Sequence, residues 1–266
     1  LLYLITLPEL GGAQSHVLDL VTGFRQTYEV HLATSGPGPL TVAVERLSIP
    51  VHLLPSLARS INPVYDFRCV KECRRLLQSV QPSLLHAHSS KAGLIGRIAG
   101  RLARVPVVFT AHGWGFTPGV PRNRRWIVRA AEARVARFTA STVCVSHFDR
   151  LLAEKHGIGT KGPGSLVAIH YGIAEEGPSA LPERQPPTLL MTARFNEQKD
   201  PELLLKAFAE VENRGARLVF AGSGPKLSKC QALAERLGLR ERADFLGART
   251  DVPDLLAQAQ IFVLTT

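Results

Sequence analysis

Short apolar, β-rich runs alternate with helical patterns from one end of this 266-residue chain to the other. No other feature constrains the fold as much. Parallel strands need a helical crossover between them, and helices then cover both faces of the sheet. Strands are expected at Leu1–Thr6, Tyr28–Thr34, Val51–Leu54, Leu84–His88, Val107–Ala111, Thr142–Ser146 and Leu166–His170. Helices are expected at Ala13–Phe24, Phe67–Ser79, Ala92–Ala103, Arg122–Ala140 and His147–Lys155. Over 175–187 the composition turns to Gly177, Pro178, Pro182, Pro186 and Pro187, the signature of a linker. The alternation restarts with strands at Thr188–Ala193, Arg217–Ala221, Ala243–Phe245 and Ile261–Leu264. Helices Pro201–Val211, Lys226–Leu237 and Pro253–Ala259 lie between them. The expected class is α/β, with one domain over 1–174 and a second over 188–266.

The single methionine is Met191, and the opening LLYLIT lacks the basic lead of a signal peptide, so the chain is expected to be clipped at its start. It stops on a strand with nothing to cover it, which reads as an incomplete second domain. No run approaches the roughly 18 apolar residues of a membrane span. Four cysteines without a C-x-x-C pair point to free thiols and a reducing cytoplasm.

The net charge of +10 is uneven. Residues 1–182 carry 20 Lys+Arg against 11 Asp+Glu, whereas residues 183–266 carry 12 against 11. Within 91–137 stand Lys91, Arg97, Arg101, Arg104, Arg122, Arg124, Arg125, Arg129, Arg134 and Arg137 against the single acid Glu132. Such a field suits an anionic partner. No recognition motif or aromatic platform accompanies it, so nucleic acid is not expected.

In open α/β sheets, ligands bind beyond the carboxyl ends of strands. Five strand-to-helix turns stand out there. Gly11-Gly12 opens a helix with free N–H groups. It is not a G-x-G-x-x-G, so a nicotinamide dehydrogenase is disfavoured. His86 and His88 share one face of a strand and lead into Ser89, Ser90 and Lys91. They are half of a metal site at most, and polar contacts to a substrate suit them better. His112, followed by Gly113, Trp114, Gly115 and Phe116, sits in a long turn with room for a ligand. Arg194 and Lys199 flank one turn, where two cations can converge on a diphosphate without a metal ion. Gly222-Ser223-Gly224-Pro225 either admits a nucleotide or makes a tight turn.

Together these pieces resemble the family 4 retaining glycosyltransferases of GT-B fold, two Rossmann-like domains facing across a cleft. The stretches GGAQSHVLDL, LLHAHSSKAGLIGR, VPVVFTAHGWGFTPGVP, VCVS, AIHYGI, TARFNEQKDPELLLKAF, LVFAGSGP and FLGARTDVPDLLAQAQIFVLTT run in family order. HAHSSKAG and AHGWGFTPG look like the branch that builds capsule, exopolysaccharide or O-antigen. The resemblance implies transfer from a nucleoside-diphosphate sugar, UDP-linked, to a lipid-linked or saccharide hydroxyl. Configuration would be retained, with no metal and no covalent protein nucleophile. By position, Gly11 and Gly12 would lie near the donor diphosphate or the acceptor. His112, the one catalytic assignment, would contact the transferred sugar. Arg194 and Lys199 would hold the diphosphate, and Gly222, Ser223, Gly224 and Pro225 would line the nucleotide pocket. His86, His88, Ser89, Ser90 and Lys91 would serve acceptor or sugar.

The family carries two glutamates eight positions apart just after the strand matching Ile261–Thr265, and this chain ends at Thr266. The fragment as it stands is therefore expected to be inactive. Arg122, Arg124, Arg125, Arg129 and Trp126 are expected to rest on an anionic bilayer and reach a polyprenyl-diphosphate acceptor. That implies a cytoplasmic protein, peripheral on the inner face of the plasma membrane. The rival readings are a GT-B sugar-nucleotide epimerase and a non-catalytic binding relative.

Overall fold

The computed structural model describes all residues except 118, 119, 121, 160–164, 173–182, 184 and 266, and only the backbone of residues 123 and 124, in a helix, and of 165, in a strand. Most of the expected linker thus lies outside the described residues. The chain divides into two compact units, Leu1–Gly172 and Ile173–Thr266.

The first unit is an open parallel sheet. Its strands are β1 (Leu2–Ile5), β2 (His31–Thr34), β3 (Val51–Leu53), β4 (Leu85–His88), β5 (Val107–Ala111), β6 (Ser141–Cys144) and β7 (Ser165–Ala168). They lie in the order β3-β2-β1-β4-β5-β6-β7. Helices α1 (Gly12–Phe24), α2 (Pro39–Glu45), α3 (Pro63–Val80), α4 (Ser90–Ala103), α5 (Arg122–Val135) and α6 (His147–Lys155) connect them. Side-chain alternation along β1 assigns the faces. Tyr3 and Ile5 pack with Val17 and Val21 of α1 and Leu40 and Val44 of α2. Leu2 and Leu4 pack with Cys69, Cys73 and Leu77 of α3 and Ile95 and Ala99 of α4. Right-handed crossovers require this division, because the chain runs one way from β1 to β3 and the other way from β4 onward.

Helix α4 sits close to the sheet because small residues face it. A Cβ at Gly93 would come within 2.3 Å of the Phe109 ring, and one at Gly100 within 2.3 Å of Val107. Arg97, between them, is fully buried. Its Nε donates to the Gly93 carbonyl (2.8 Å), its NH2 to Glu132 of α5 (2.6 Å), and its guanidinium lies 4.1 Å from the Phe109 centroid. Thus one of the ten cations counted between 91 and 137 contributes nothing to a surface field, and it consumes the segment's only acid.

The second unit repeats the plan with β8 (Thr188–Thr192), α7 (Pro201–Ala209), β9 (Arg217–Ala221), α8 (Leu227–Arg236), β10 (Ala243–Phe245), α9 (Val252–Gln258) and β11 (Ile261–Phe262). The strand order is β10-β9-β8-β11, all parallel. Phe195, Leu205, Phe208, Leu218, Phe220 and Cys230 form its core. All four cysteines are free and buried.

The α/β expectation holds, with differences at element ends. Helix α2 is not among the expected elements. Gly38 precedes it, Pro39 opens it, and the Thr41 hydroxyl accepts from the Gly38 N–H (2.9 Å). Helix α3 starts at Pro63 rather than Phe67, because the Asn62 side chain accepts from the N–H groups of Val64 and Tyr65. Strand β2 starts at His31 rather than Tyr28, whose N–H instead closes the end of α1 on the Phe24 carbonyl. Helix α5 ends at Val135 and tightens into a 3-10 turn over Ala136–Phe138.

The buried Arg97–Glu132 pair gives a stability prediction. Glu132→Leu alone strands a buried guanidinium and is expected to cost about 3–5 kcal/mol. Arg97→Met with Glu132→Leu removes both charges and is expected to cost less than Glu132→Leu alone. Urea denaturation of the two variants decides it, and a double variant less stable than the single one would refute the account.

Candidate functional site

In the first unit the strand order reverses between β1 and β4, and the turns that follow them part there. The β1 turn carries Gly11, the N-cap of α1, and Gly12. A Cβ on Gly12 would meet nothing within 4 Å, so no protein packing demands glycine there. The first turn of α1 has no acid and, among the described residues, no capping side chain, so its N–H groups are available to an anion.

On β4, Leu85 and Ala87 face α3 and α4, while His86 and His88 face the other way with Tyr3. Their rings lie 4.1 Å apart, the shared face that spacing of two predicts. His86 Nε2 lies 2.8 Å from the Thr110 hydroxyl of β5. His88 is fully buried, with Nδ1 2.9 Å from His112 Nε2, and its own Nε2 has no partner among the described residues. A buried N–H left unpaired costs more than a bare lone pair. The His88 hydrogen therefore belongs on Nδ1, donating to His112. His112 then carries its hydrogen on Nδ1, where it donates to the Tyr171 oxygen. His16 of α1 packs against both, 5.6 Å from His112 and 4.5 Å from Tyr171 between centroids.

Burial pushes the His86 imidazole down to about 3 and His112 to about 4, with neighbouring imidazoles adding to the effect. His88 is driven well below its ordinary value for the same reasons, and His16 is lowered mainly by burial. The cluster is neutral at pH 7 and acts through hydrogen bonds. It offers fixed donors and acceptors to hydroxyls rather than positive charge to a phosphate.

Ser89 is held at φ 69° and ψ 154°, a region ordinarily left to glycine, which costs of order 1–3 kcal/mol. Its hydroxyl lies 2.7 Å from that of Thr6, and its carbonyl accepts from the Gly93 N–H (2.8 Å). Ser90 is exposed at the start of α4. Lys91 does not reach outward. Its Nζ donates to both carboxylate oxygens of Asp66 at 2.7 and 2.8 Å, and its side chain is only 9% exposed. Among the five residues expected to contact acceptor or sugar, His86, His88, Ser89 and Lys91 thus each hydrogen-bond a protein side chain, and Lys91 is held most firmly, by both oxygens of Asp66.

In the second unit, Arg194 follows β8 and is exposed, and Lys199 lies five positions on. The acids beside them are occupied. Glu197 pairs with Lys226 at 2.7 Å, and Asp200 caps α7 by accepting from the Leu203 N–H. Among the described residues, neither Arg194 nor Lys199 has an ion-pair partner. The Lys199 N–H donates to the Asn196 side chain (3.0 Å), and the Thr265 hydroxyl donates to the Lys199 carbonyl (2.8 Å), which fixes the loop. The glycine turn after β9 lies against it. Gly222, at φ +154°, would put a Cβ 1.9 Å from the Ala193 carbonyl oxygen. Gly224, at φ +155°, would put one 2.4 Å from that of Phe195. The Ser223 carbonyl accepts from the Phe195 N–H (3.0 Å), with Pro225 leading into α8. These glycines exist for loop-on-loop contact, a reason that local sequence does not reveal.

Around α5, Arg122, Arg125, Trp126 and Arg129 line a pocket of about 350 Å³ with Phe116 and His156. Trp126 is 64% exposed. The Arg124 side chain lies outside the described residues. No group of three or more metal-ligating side chains occurs among the described residues, and no described helix is long and apolar enough to cross a membrane. Sequence reasoning missed His16, Tyr171, Thr6 and Asp66. Each meets its partner only through the fold.

Residues 11–172 match the family model described as "Glycosyl transferase 4-like domain", and residues 174–266 match "Glycosyl transferases group 1". The UDP-Gal:alpha-D-GlcNAc-diphosphoundecaprenol alpha-1,3-galactosyltransferase of Escherichia coli is 27% identical over 256 residues, covering 90% of this chain and 66% of that protein. The O-antigen biosynthesis glycosyltransferase WbnH of Escherichia coli is 25% identical over 245 residues, covering 92% and 68%. The chain spans about two thirds of the length of these relatives. Among solved structures, Anabaena Alr3699/HepE in complex with UDP-glucose superposes with a TM-score of 0.83 at 19% identity, covering 100% of this chain and 73% of that one. That likeness carries the GT-B fold. With a family model spanning most of the chain, this protein belongs to the glycosyl transferase 4-like family.

Proposed function

We propose that this protein is a retaining glycosyltransferase that moves a sugar from a UDP-linked donor to a lipid-linked or saccharide hydroxyl in surface-polysaccharide assembly. The observation that carries the reading is the pair Arg194 and Lys199, two cations on one braced turn whose neighbouring acids are bound elsewhere. The names of the Escherichia coli relatives support the same class of chemistry. Residues 188–266 act as the donor domain, residues 1–174 as the acceptor-side domain, and 175–187 as the linker.

In this reading Arg194 and Lys199 neutralise the diphosphate, and the turn Gly222–Pro225 lines the nucleotide pocket. The bond between anomeric carbon and phosphate oxygen breaks, with its electron pair leaving on the phosphate. The acceptor hydroxyl bonds to the anomeric carbon on the same face and passes its proton to the departing phosphate. Fixed cations supply the charge stabilisation, so the proposed mechanism requires no metal. His112, neutral and fixed in one tautomer by His88, offers its Nδ1 hydrogen to a sugar hydroxyl when Tyr171 yields it. The N–H groups at Gly11 and Gly12 are open to the donor diphosphate or the acceptor. His86, Ser89 and Ser90 remain candidates for acceptor contacts. Arg122, Arg125, Arg129 and Trp126 are assigned to an anionic membrane surface.

Removing one charge-assisted phosphate contact costs about 1.5–3 kcal/mol. Arg194→Ala and Lys199→Ala are each expected to weaken UDP binding roughly 10- to 100-fold by calorimetry, as 1.4 kcal/mol is tenfold. UDP affinity unchanged in both variants would sink the assignment, and release of a free sugar or epimer in place of a glycoside would redirect it.

The histidines also predict a pH dependence of stability. Their folded pKa values lie below the unfolded value of about 6.5, so between 6.5 and about 4 the unfolded chain binds protons that the native fold refuses. Stability should fall as pH drops through that window. The loss is at most about 1.4 kcal/mol per pH unit for each such histidine, and less for half-buried His112. Melting temperatures at several pH values measure it. A His86→Gln variant should show a shallower slope, and an identical slope would refute the account.

A further inference from the structure

The turn that carries Arg194 and Lys199 also carries an acid, and a residue from a different part of the second unit takes that acid away. Glu197 stands between the two cations in sequence. Its side chain is 89% exposed, and its carboxylate pairs with the Lys226 ammonium at 2.7 Å. A carboxylate so exposed is otherwise free to swing toward either cation, and opposite charges on one turn attract.

Lys226 is built to hold it. It is the N-cap of α8, and its side chain is only 13% exposed. Its N–H donates to the Phe195 carbonyl (3.1 Å), so backbone and side chain both bind the same turn. The close approach is the one that Gly224 permits, where a Cβ would fall 2.4 Å from the Phe195 carbonyl oxygen. Lys226 also reaches Glu202 of α7 at 2.9 Å. Glu202 has a second cation in Lys229, at 3.0 Å. Glu197 has none among the described residues. Removing the Lys226 charge therefore releases one acid, and it is the acid between the unpaired cations. An ion pair with one partner this exposed contributes little to stability, so its loss is felt in binding rather than in folding.

We propose that Lys226 is a positioning residue for the diphosphate site. It parks Glu197 away from Arg194 and Lys199 and so keeps both cations available to an anion. Lys226 acts through Glu197 and makes no contact with the ligand itself. This role rests on the assignment of Arg194 and Lys199 to the donor diphosphate and extends that site to the neighbouring glycine turn.

The test is a double-mutant cycle read by UDP calorimetry on the 266-residue chain. Lys226→Met is expected to weaken UDP binding about three- to tenfold at low salt, the effect of one unit charge brought within several ångström of an anion near a protein surface. The loss should shrink at about 1 M salt, where the screening length is roughly 3 Å. Glu197→Gln alone should change the affinity by less than about twofold, as for an acid already paired. Added to Lys226→Met, it should restore the affinity. Lys226→Arg should bind UDP as the unaltered chain does. Melting temperatures check folding, and Lys226→Gln, with the same expectation, replaces Lys226→Met if that variant does not fold. Unchanged affinity in Lys226→Met overturns the proposal. So does a loss that Glu197→Gln fails to restore, because Lys226 would then be a direct ligand or a structural prop. Equal and opposite single effects that simply add in the double variant mark a general field and overturn it too. If Arg194→Ala and Lys199→Ala leave UDP binding unchanged, the diphosphate assignment falls and the role of Lys226 with it. If they weaken binding but the cycle shows no coupling, only the role of Lys226 falls.

Discussion

A parallel strand cannot fold straight back on its neighbour, and the placement of the site follows from that constraint. Each strand of this protein ends at the same edge of its sheet and must cross over before the next begins. Where the order reverses, between β1 and β4, one turn leads to α1 and the other to α4 on opposite faces. The gap between them is geometric and exists before any side chain fills it. Gly11, Gly12, His88 and Ser89 occupy that edge because the topology delivers them there, and β5 adds His112 from next door.

What the edge can do is then decided by which charges are already spent. Occupied acids stand beside the unpaired cations singled out above. Glu197 and Asp200 are taken by Lys226 and by the α7 cap, and among the described residues Arg194 and Lys199 have no ion-pair partner. Asp66, Glu72 and Glu132 are taken in the same way around α3, α4 and α5. A formal count of charges along the sequence treats these acids as neutralising their neighbours, whereas in the fold they neutralise something else. The histidine cluster shows the complementary device: burial removes charge from four side chains that composition alone would leave titrating near pH 6.5.

The α/β class and the order of elements were legible in the sequence because apolar runs and helical periods are local properties. The shared face of His86 and His88 was legible for the same reason, since strand geometry fixes it. Helix α2 was not, because it is short and its Gly-Pro approach reads as a loop. The burial of Arg97 was equally hidden: an arginine on a helix is exposed unless something distant, here Glu132 and the Phe109 ring, makes a place for it. His16 and Tyr171 escaped because each lies far along the chain from His112, and only the strand order brings them together. The glycines at 222 and 224 were recognised as unusual, yet their cause lies in a neighbouring loop some thirty positions earlier.

The four buried thiols have a practical consequence. Cys69, Cys73 and Cys144 lie in the first unit and Cys230 in the second, none open to solvent. Burial raises each thiol's pKa, to about 12 for the first three and about 11 for Cys230, so little reactive thiolate forms even in mildly alkaline buffer. The molecule therefore carries its own clock for opening. A thiol reagent reaches a sulfur only when the surrounding helix lifts from its sheet, and the modified position identifies which unit moved first.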